Sequence, residues 1–203
     1  MTKTLRLIGC CAALALLGAC SILPEAETPD IYLLPATAAG ASGGPKQDWS
    51  LQVDTPKASH ALDRNRIAVL PTDNQLSSYQ GARWSSPAPE LLRDRLVDAF
   101  VADGRVGRLS SDAYNLAADL ELAGDLRAFQ SEYRNGRPEI VIRLDARLIH
   151  GAAPRIVAAR SFEVRQAVDG EQVPQVVAAF GRAADRLAAQ VVEWTIQQGA
   201  ARQ

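Results

Sequence analysis

Cys10, Cys11 and Cys20 carry the most reactive side chains of this chain, and they are its only cysteines. A thiol can be acylated, oxidised or metal-bound, and its neighbours decide which. Cys20 directly follows Leu17-Gly18-Ala19. That tetrapeptide resembles a lipobox, in which the thiol receives a diacylglyceryl group before cleavage exposes the cysteine amine. The residues upstream agree in register: Met1–Arg6 carries Lys3 and Arg6 and no acid, Leu7–Leu17 is uncharged, and Gly18-Ala19 is small. These are the three parts of a secretory signal. The apolar run is too short to span a bilayer, which needs about 20 such residues. Residues 1–19 therefore read as a signal peptide and Cys20 as the lipidated first residue of the mature chain. The competing reading is ordinary signal cleavage, or a short uncleaved anchor, with Cys20 incidental. Leu7-Ile8-Gly9-Cys10 also looks like a lipobox, but almost no apolar run precedes it. With two cysteines lost in the signal and Cys20 consumed by lipid, the mature domain has no thiol for disulfides or metal sites.

The remaining polar residues point to no particular reaction. The mature part has two histidines, His60 and His150, and no His/Asp/Glu cluster at metal-ligand spacing. His150 ends an alternating segment beside Gly151, where a solvated or capping role is expected. There is no Gly-x-Ser-x-Gly elbow, and Gly40–Gly44 lacks the Lys-Ser/Thr and helix of a phosphate loop. Asp119, Glu121 and Asp125 fall on the solvated face of a strand. Tyr79, Arg83 and Trp84 form a different kind of set. They lie in a polar stretch read as a loop before a helix, and aromatic and Arg residues are enriched at interface cores. They are either a contact surface, or Trp84 simply plugs the end of the core.

The elements that would position these groups follow from periodicity and punctuation. Ser21–Pro29 is a short tether with Pro24, Pro29, Glu25 and Glu27. Asp30–Pro35 reads as a first strand stopped by proline, and Ala36–Lys46 as a Gly/Ser-rich loop. Trp49–Val53 and Arg66–Pro71 are further strands. A helix is expected to start near Pro89, with Leu92, Leu96, Ala99 and Phe100 inward, and to end at Gly104. Val106–Leu109 reads as a short strand. Asp119–Tyr133 alternates through Leu120, Leu122, Gly124, Leu126 and Ala128, then changes phase to Phe129, Ser131 and Tyr133, as a bulge would require. Asn135-Gly136 is a hairpin turn. Glu139–His150 and Arg155–Val168 complete an antiparallel meander with one wet face. A long helix, Val173–Gln197, carries an apolar stripe from Val173 to Trp194. The expected fold is one α/β (α+β) domain over residues 30–198: a mostly antiparallel sheet covered by two main helices. It follows a signal peptide at 1–19 and a lipidated tether at 20–29, with 199–203 as a tail.

Removing the signal leaves 184 residues with 20 basic and 23 acidic side chains, enough for one well-buried domain. That balance gives no general attraction to nucleic acid. Attachment to a membrane rests on Cys20, where one acyl chain binds marginally and two or three hold stably.

Taken in order, these features are similar to the auxiliary lipoproteins of ABC-type transport systems that carry an MCE (mammalian cell entry) substrate-binding component. The residues that carry the resemblance are Cys20, Ile31-Tyr32-Leu33-Leu34-Pro35, Arg66-Ile67-Ala68-Val69, and Tyr79 followed by Arg83-Trp84-Ser85-Ser86-Pro87. To these add Leu91-Leu92-Arg93-Asp94-Arg95-Leu96, the Leu120–Phe129 strand, Phe162 and the terminal helix with Trp194. Ile31 departs from the family's commoner aromatic. The resemblance implies a non-enzymatic part of a lipid-transport machine in the cell envelope, with no cofactor beyond the covalent lipid on Cys20, palmitate among its acyl chains. The implied partners are an MCE-domain protein, on whose periplasmic part the domain would dock, and its ABC transporter. A homo-oligomer is also implied. Tyr32, Tyr79, Arg83 and Trp84 are the candidate contacts. Ser21, rather than Asp, after the lipidated cysteine implies the periplasmic face of the outer membrane. The alternative function is a free-standing lipid- or small-molecule-binding envelope lipoprotein. An envelope enzyme would need a cleft joining acids with His60 or His150.

Overall fold

The computed structural model describes residues 28–36, 43–114 and 116–201. The expected signal peptide, the Leu17–Ala19 lipobox, Cys20 and most of the tether lie outside these residues. In chain order the strands are β1 (Asp30–Tyr32), β2 (Gln47–Val53), β3 (Lys57–Ala58), β4 (Arg66–Thr72), β5 (Gln75–Trp84), β6 (Val106–Ser111), β7 (Leu120–Arg134), β8 (Arg137–His150) and β9 (Ile156–Ala167). The helices are α1 (Ala88–Asp103) and α2 (Val173–Ala200).

Asn135 and Gly136 take φ of 51° and 75°, the positive values that a tight two-residue hairpin turn needs. They join β7 to β8 in an antiparallel pairing that runs from Arg134↔Arg137 to Leu120↔His150. Its register slips between Leu126 and Ala128, where the sequence changes phase, so Leu120, Leu122 and Leu126 stay inward and Phe129 and Ser131 rejoin them. β9 adds antiparallel to β8. The opposite edge of β7 receives three short strands one after another, all parallel: β2 at Leu120–Leu122, β3 at Asp125–Leu126 and β4 at Gln130–Glu132. From that edge the nine-stranded sheet forks, one branch through β2 to β6 and the other through β4 and β5 to β1. The meander makes most of the pairing antiparallel, as expected. The parallel additions leave no trace in the period of any single strand.

Both helices lie on one face. α2 packs over β8 and β9 and against α1, and α1 reaches β6. α2 begins with a reciprocal cap between Gln172 and Gln175, which satisfies N–H groups that the first helical turn leaves orphaned. Gly104 ends α1 at φ 76°, donating its N–H to Phe100 O. The expected inward residues Leu92, Leu96, Phe100, Phe180, Leu187 and Val191 are fully buried. The other sheet face is wet. There Arg127 pairs with Asp145 at 2.8 Å, Arg147 with Asp125 at 2.7 Å and Arg143 with Glu163 at 2.7 Å.

Two expectations are corrected. Residues 72–87 are not a loop, because ten of them form β5, so Tyr79, Arg83 and Trp84 stand on a strand. β5 is exposed on both faces along most of its length, so it lacks the alternation that marks a half-buried strand. The first strand also ends at Tyr32 rather than Pro35. The Leu34 and Pro35 carbonyls are claimed by a side chain of α1 instead of a neighbouring strand.

Candidate functional site

β1 runs parallel to β5 with Ile31 beside Arg83 and Tyr32 beside Trp84. Adjacent residues of a strand point to opposite faces, so this ribbon presents two different surfaces. On the inner side Trp84 is 0 % exposed. Its ring meets Phe180 edge-on at 5.2 Å and Phe129 at 6.1 Å. Trp84 is therefore corrected from a candidate contact to a core residue that plugs the end of the sheet. Tyr32 and Tyr79 are half-buried against the same core. The Tyr79 hydroxyl donates to Ser131 Oγ at 3.1 Å. Burial pushes the Tyr79 phenol up to about 12; the Ser131 bond works against that rise and Tyr133 adds to it. Tyr79 thus acts as a neutral donor across the sheet. Arg83 is the exposed member and faces the other way.

A residue that the periodic reading left aside organises the inner side. Arg95 on α1 is only 7 % exposed. Its Nη1 donates to Asp185 on α2 at 2.9 Å, and its Nη2 to Leu34 O at 2.9 Å and Pro35 O at 2.6 Å. A Cβ on Gly181 of α2 would lie 2.6 Å from Pro35 O, so glycine is what lets the segment pass so close. The chain arriving from the tether is clamped between both helices. The signal for this was present: Arg95 occupies a position three after Leu92, inside the apolar stripe, where a charge needs a reason.

On the outer side Arg66 stands directly opposite Arg83 across β4 and β5. Trp84 N–H donates to Asn65 O at 2.7 Å, which holds the segment before β4 against the end of β5. Arg64, Arg66 and Arg83 then line one open cleft of about 400 Å³ with Ser85 and Ser86.

The other chemical candidates take structural roles. Asp119 accepts from the Ser50 N–H and hydroxyl, each at 2.7 Å, and these bonds hold its carboxyl below the usual range. It ties β2 to the start of β7. Asp125 belongs to the wet-face pairs. His150 Nδ1 accepts from the Ala153 N–H at 3.4 Å, which makes it a turn cap. The His60 carbonyl accepts from Arg64 Nε–H at 3.2 Å. Among the described residues no group of three His, Cys, Asp or Glu converges to hold a metal ion. Nor, among them, is any helix long and apolar enough to cross a membrane.

Residues 32–192 match the family described as the ABC-type transport auxiliary lipoprotein component. A crystal structure of a protein from Xanthomonas campestris superposes with a TM-score of 0.78 at 32% identity, covering 84% of this chain and 97% of that one. A hypothetical protein from Chlamydia trachomatis shares the fold at a TM-score of 0.52 and 7% identity, over 75% of this chain and 99% of that one. An uncharacterized protein of Bradyrhizobium diazoefficiens is 27% identical over 148 residues, 72% of this chain and 39% of that protein. The chain thus spans about two fifths of the length of that relative.

Proposed function

The chain belongs to the ABC-type transport auxiliary lipoprotein family, and from that premise we propose that it is a non-catalytic envelope component of an MCE/ABC-type lipid transport system. In this reading the signal peptide is removed at Ala19, Cys20 carries the lipid, and the domain docks on the periplasmic part of the MCE-domain protein. The anchor sits in the periplasm-facing leaflet of the outer membrane, and copies can assemble into a homo-oligomer.

The observation that carries the reading is the family match itself, which spans almost the whole described domain. The clamp of Arg95 and Gly181 on Leu34 and Pro35 suits a tethered part. Whatever holds the N-terminus is passed directly to the two helices. Tyr32 and Tyr79 keep part of their rings at the surface and stand as the candidate partner contacts. The alternative, a free-standing lipid binder, needs an apolar space between sheet and helices. That layer is occupied by the packed rings of Trp84, Phe129 and Phe180, with Phe162 against Trp194, so the docking reading is favoured.

The test is mass spectrometry of protein pulled down from solubilised membranes, comparing wild type with Cys20→Ala. Wild type is expected to arrive acylated on Cys20 and to bring an MCE-domain protein and ABC transporter subunits. Acylated wild type that reproducibly arrives without them would end the docking proposal.

A further inference from the structure

Arg66, Arg83 and Ile31 form one cross-strand row on the outer side of the β4–β5–β1 ribbon. Like charges directly opposite one another destabilise a sheet, and where they recur on this sheet, as Arg134↔Arg137 and Asp125↔Asp145, ion pairs with Glu132, Arg147 and Arg127 offset them. Here Arg66 and Arg83 stand opposite each other, Arg64 lines the same cleft, and none of the three has an ion pair among the described residues. Pro87, the N-cap of α1, also lines the cleft, and the partial positive charge of that helix end is offset in part by Glu90 in its first turn. Beside the arginines stand exposed aliphatics: Ile31 at 60 % and Leu33 at 74 %.

We propose that this face seats the domain on a phospholipid surface, Arg64, Arg66 and Arg83 binding headgroup phosphates while Ile31 and Leu33 enter the headgroup layer. The position of the tether selects this occupant over an acidic protein. Nine residues, Ser21–Pro29, separate Cys20 from β1 and reach at most roughly 30 Å, and they enter the fold in the strand that carries Ile31. An anchored domain therefore brings this edge to the membrane before any other. Arginine suits the role because its planar fork meets phosphate oxygens two at a time.

The seating rests on the anchored reading above, so its test supplies the anchor independently. A chain beginning at Ser21 keeps the whole described domain and contains no native cysteine. It is held by an N-terminal hexahistidine on vesicles containing a nickel-chelating lipid, and carries a polarity-sensitive dye on Leu33→Cys. On vesicles of phosphatidylcholine with phosphatidylglycerol the dye emission is expected to shift to the blue, and on phosphatidylcholine alone to stay water-like. High salt should reverse the shift, since exposed charges are screened. Arg66→Gln with Arg83→Gln should abolish it, lowering the seated-to-free ratio on the order of 25-fold at roughly fivefold per arginine. That double variant removes the like-charge opposition, so its melting temperature should equal or exceed that of wild type. Water-like emission on the anionic vesicles, as expected if the arginines serve an acidic protein, overturns the proposal. So does a blue shift that survives in the folded double variant. Acylation of Cys20 is decided separately by the mass of the full chain.

Discussion

Trp84 and Arg95 divide the labour of the ribbon end. Trp84 fills volume, and its indole N–H has no hydrogen-bond partner among the described residues. Replacing it by Phe should therefore lose only packing, about 1 to 2 kcal/mol, whereas Trp84→Ala should cost about 4 kcal/mol in urea unfolding. Arg95 works through hydrogen bonds. Arg95→Ala removes the guanidinium from a part-buried Asp185 and strips two carbonyls of their donor, a loss of roughly 3 kcal/mol. Its distinguishing effect is local: amide exchange around Leu33–Ala36 should speed up, while the β7–β8 hairpin stays protected. Plugging the core was one of two readings of Trp84 in the sequence, whereas the partners of both residues were not visible there. Burial of Trp84 depends on Phe129 and Phe180, which arrive from distant elements. The arginine cleft joins Arg64 and Arg66 to Arg83, partners that only the β4–β5 register brings together.

At the scale of elements, legibility tracked how strongly one face is buried. The bulge of β7, the Asn135-Gly136 turn and the α2 stripe were readable because each leaves a period or a break in one. β5 was not, because only Ala82 and Trp84 at its end are buried and the rest is held by hydrogen bonds to β4 and β1. The parallel docking of β2, β3 and β4 was also hidden, since partner choice is not written in alternation. The hairpin offers a sharp test. A Cβ on Gly124 would lie 2.6 Å from Asp145 O, whereas one on Gly107 in β6 meets nothing within 4 Å. Gly124→Ala should destabilise by about 2 kcal/mol through overpacking, and Gly107→Ala should be near neutral, both by thermal melting.

For the whole molecule, pH dependence follows from the carboxylates that knit the sheet. Ser50 holds Asp119 below its ordinary 3.8, Ser161 and Arg127 do the same for Asp145, and Arg143 holds Glu163 below 4.5. A folded-state value below the unfolded one contributes stability above the unfolded value and loses it as pH falls through the folded one. Asp54, raised chiefly by burial, has the opposite sign and offsets part of the loss. The melting temperature should be flat from about pH 6 to 8 and fall below about pH 4. Asp119→Asn should lower it at neutral pH and shrink the acid drop. The fork on one edge of β7 also orders events in time. β2 and β4 can pair earlier with β6 and β5. All the pairing of β3, and the joining of these pieces into one sheet, waits for β7, which begins at Leu120, while β7 and β8 can close locally within microseconds. A growing chain therefore lacks the strand that joins its pieces through its first half and remains short of its folded state, the condition in which a polypeptide can be threaded across a membrane before it folds on the far side.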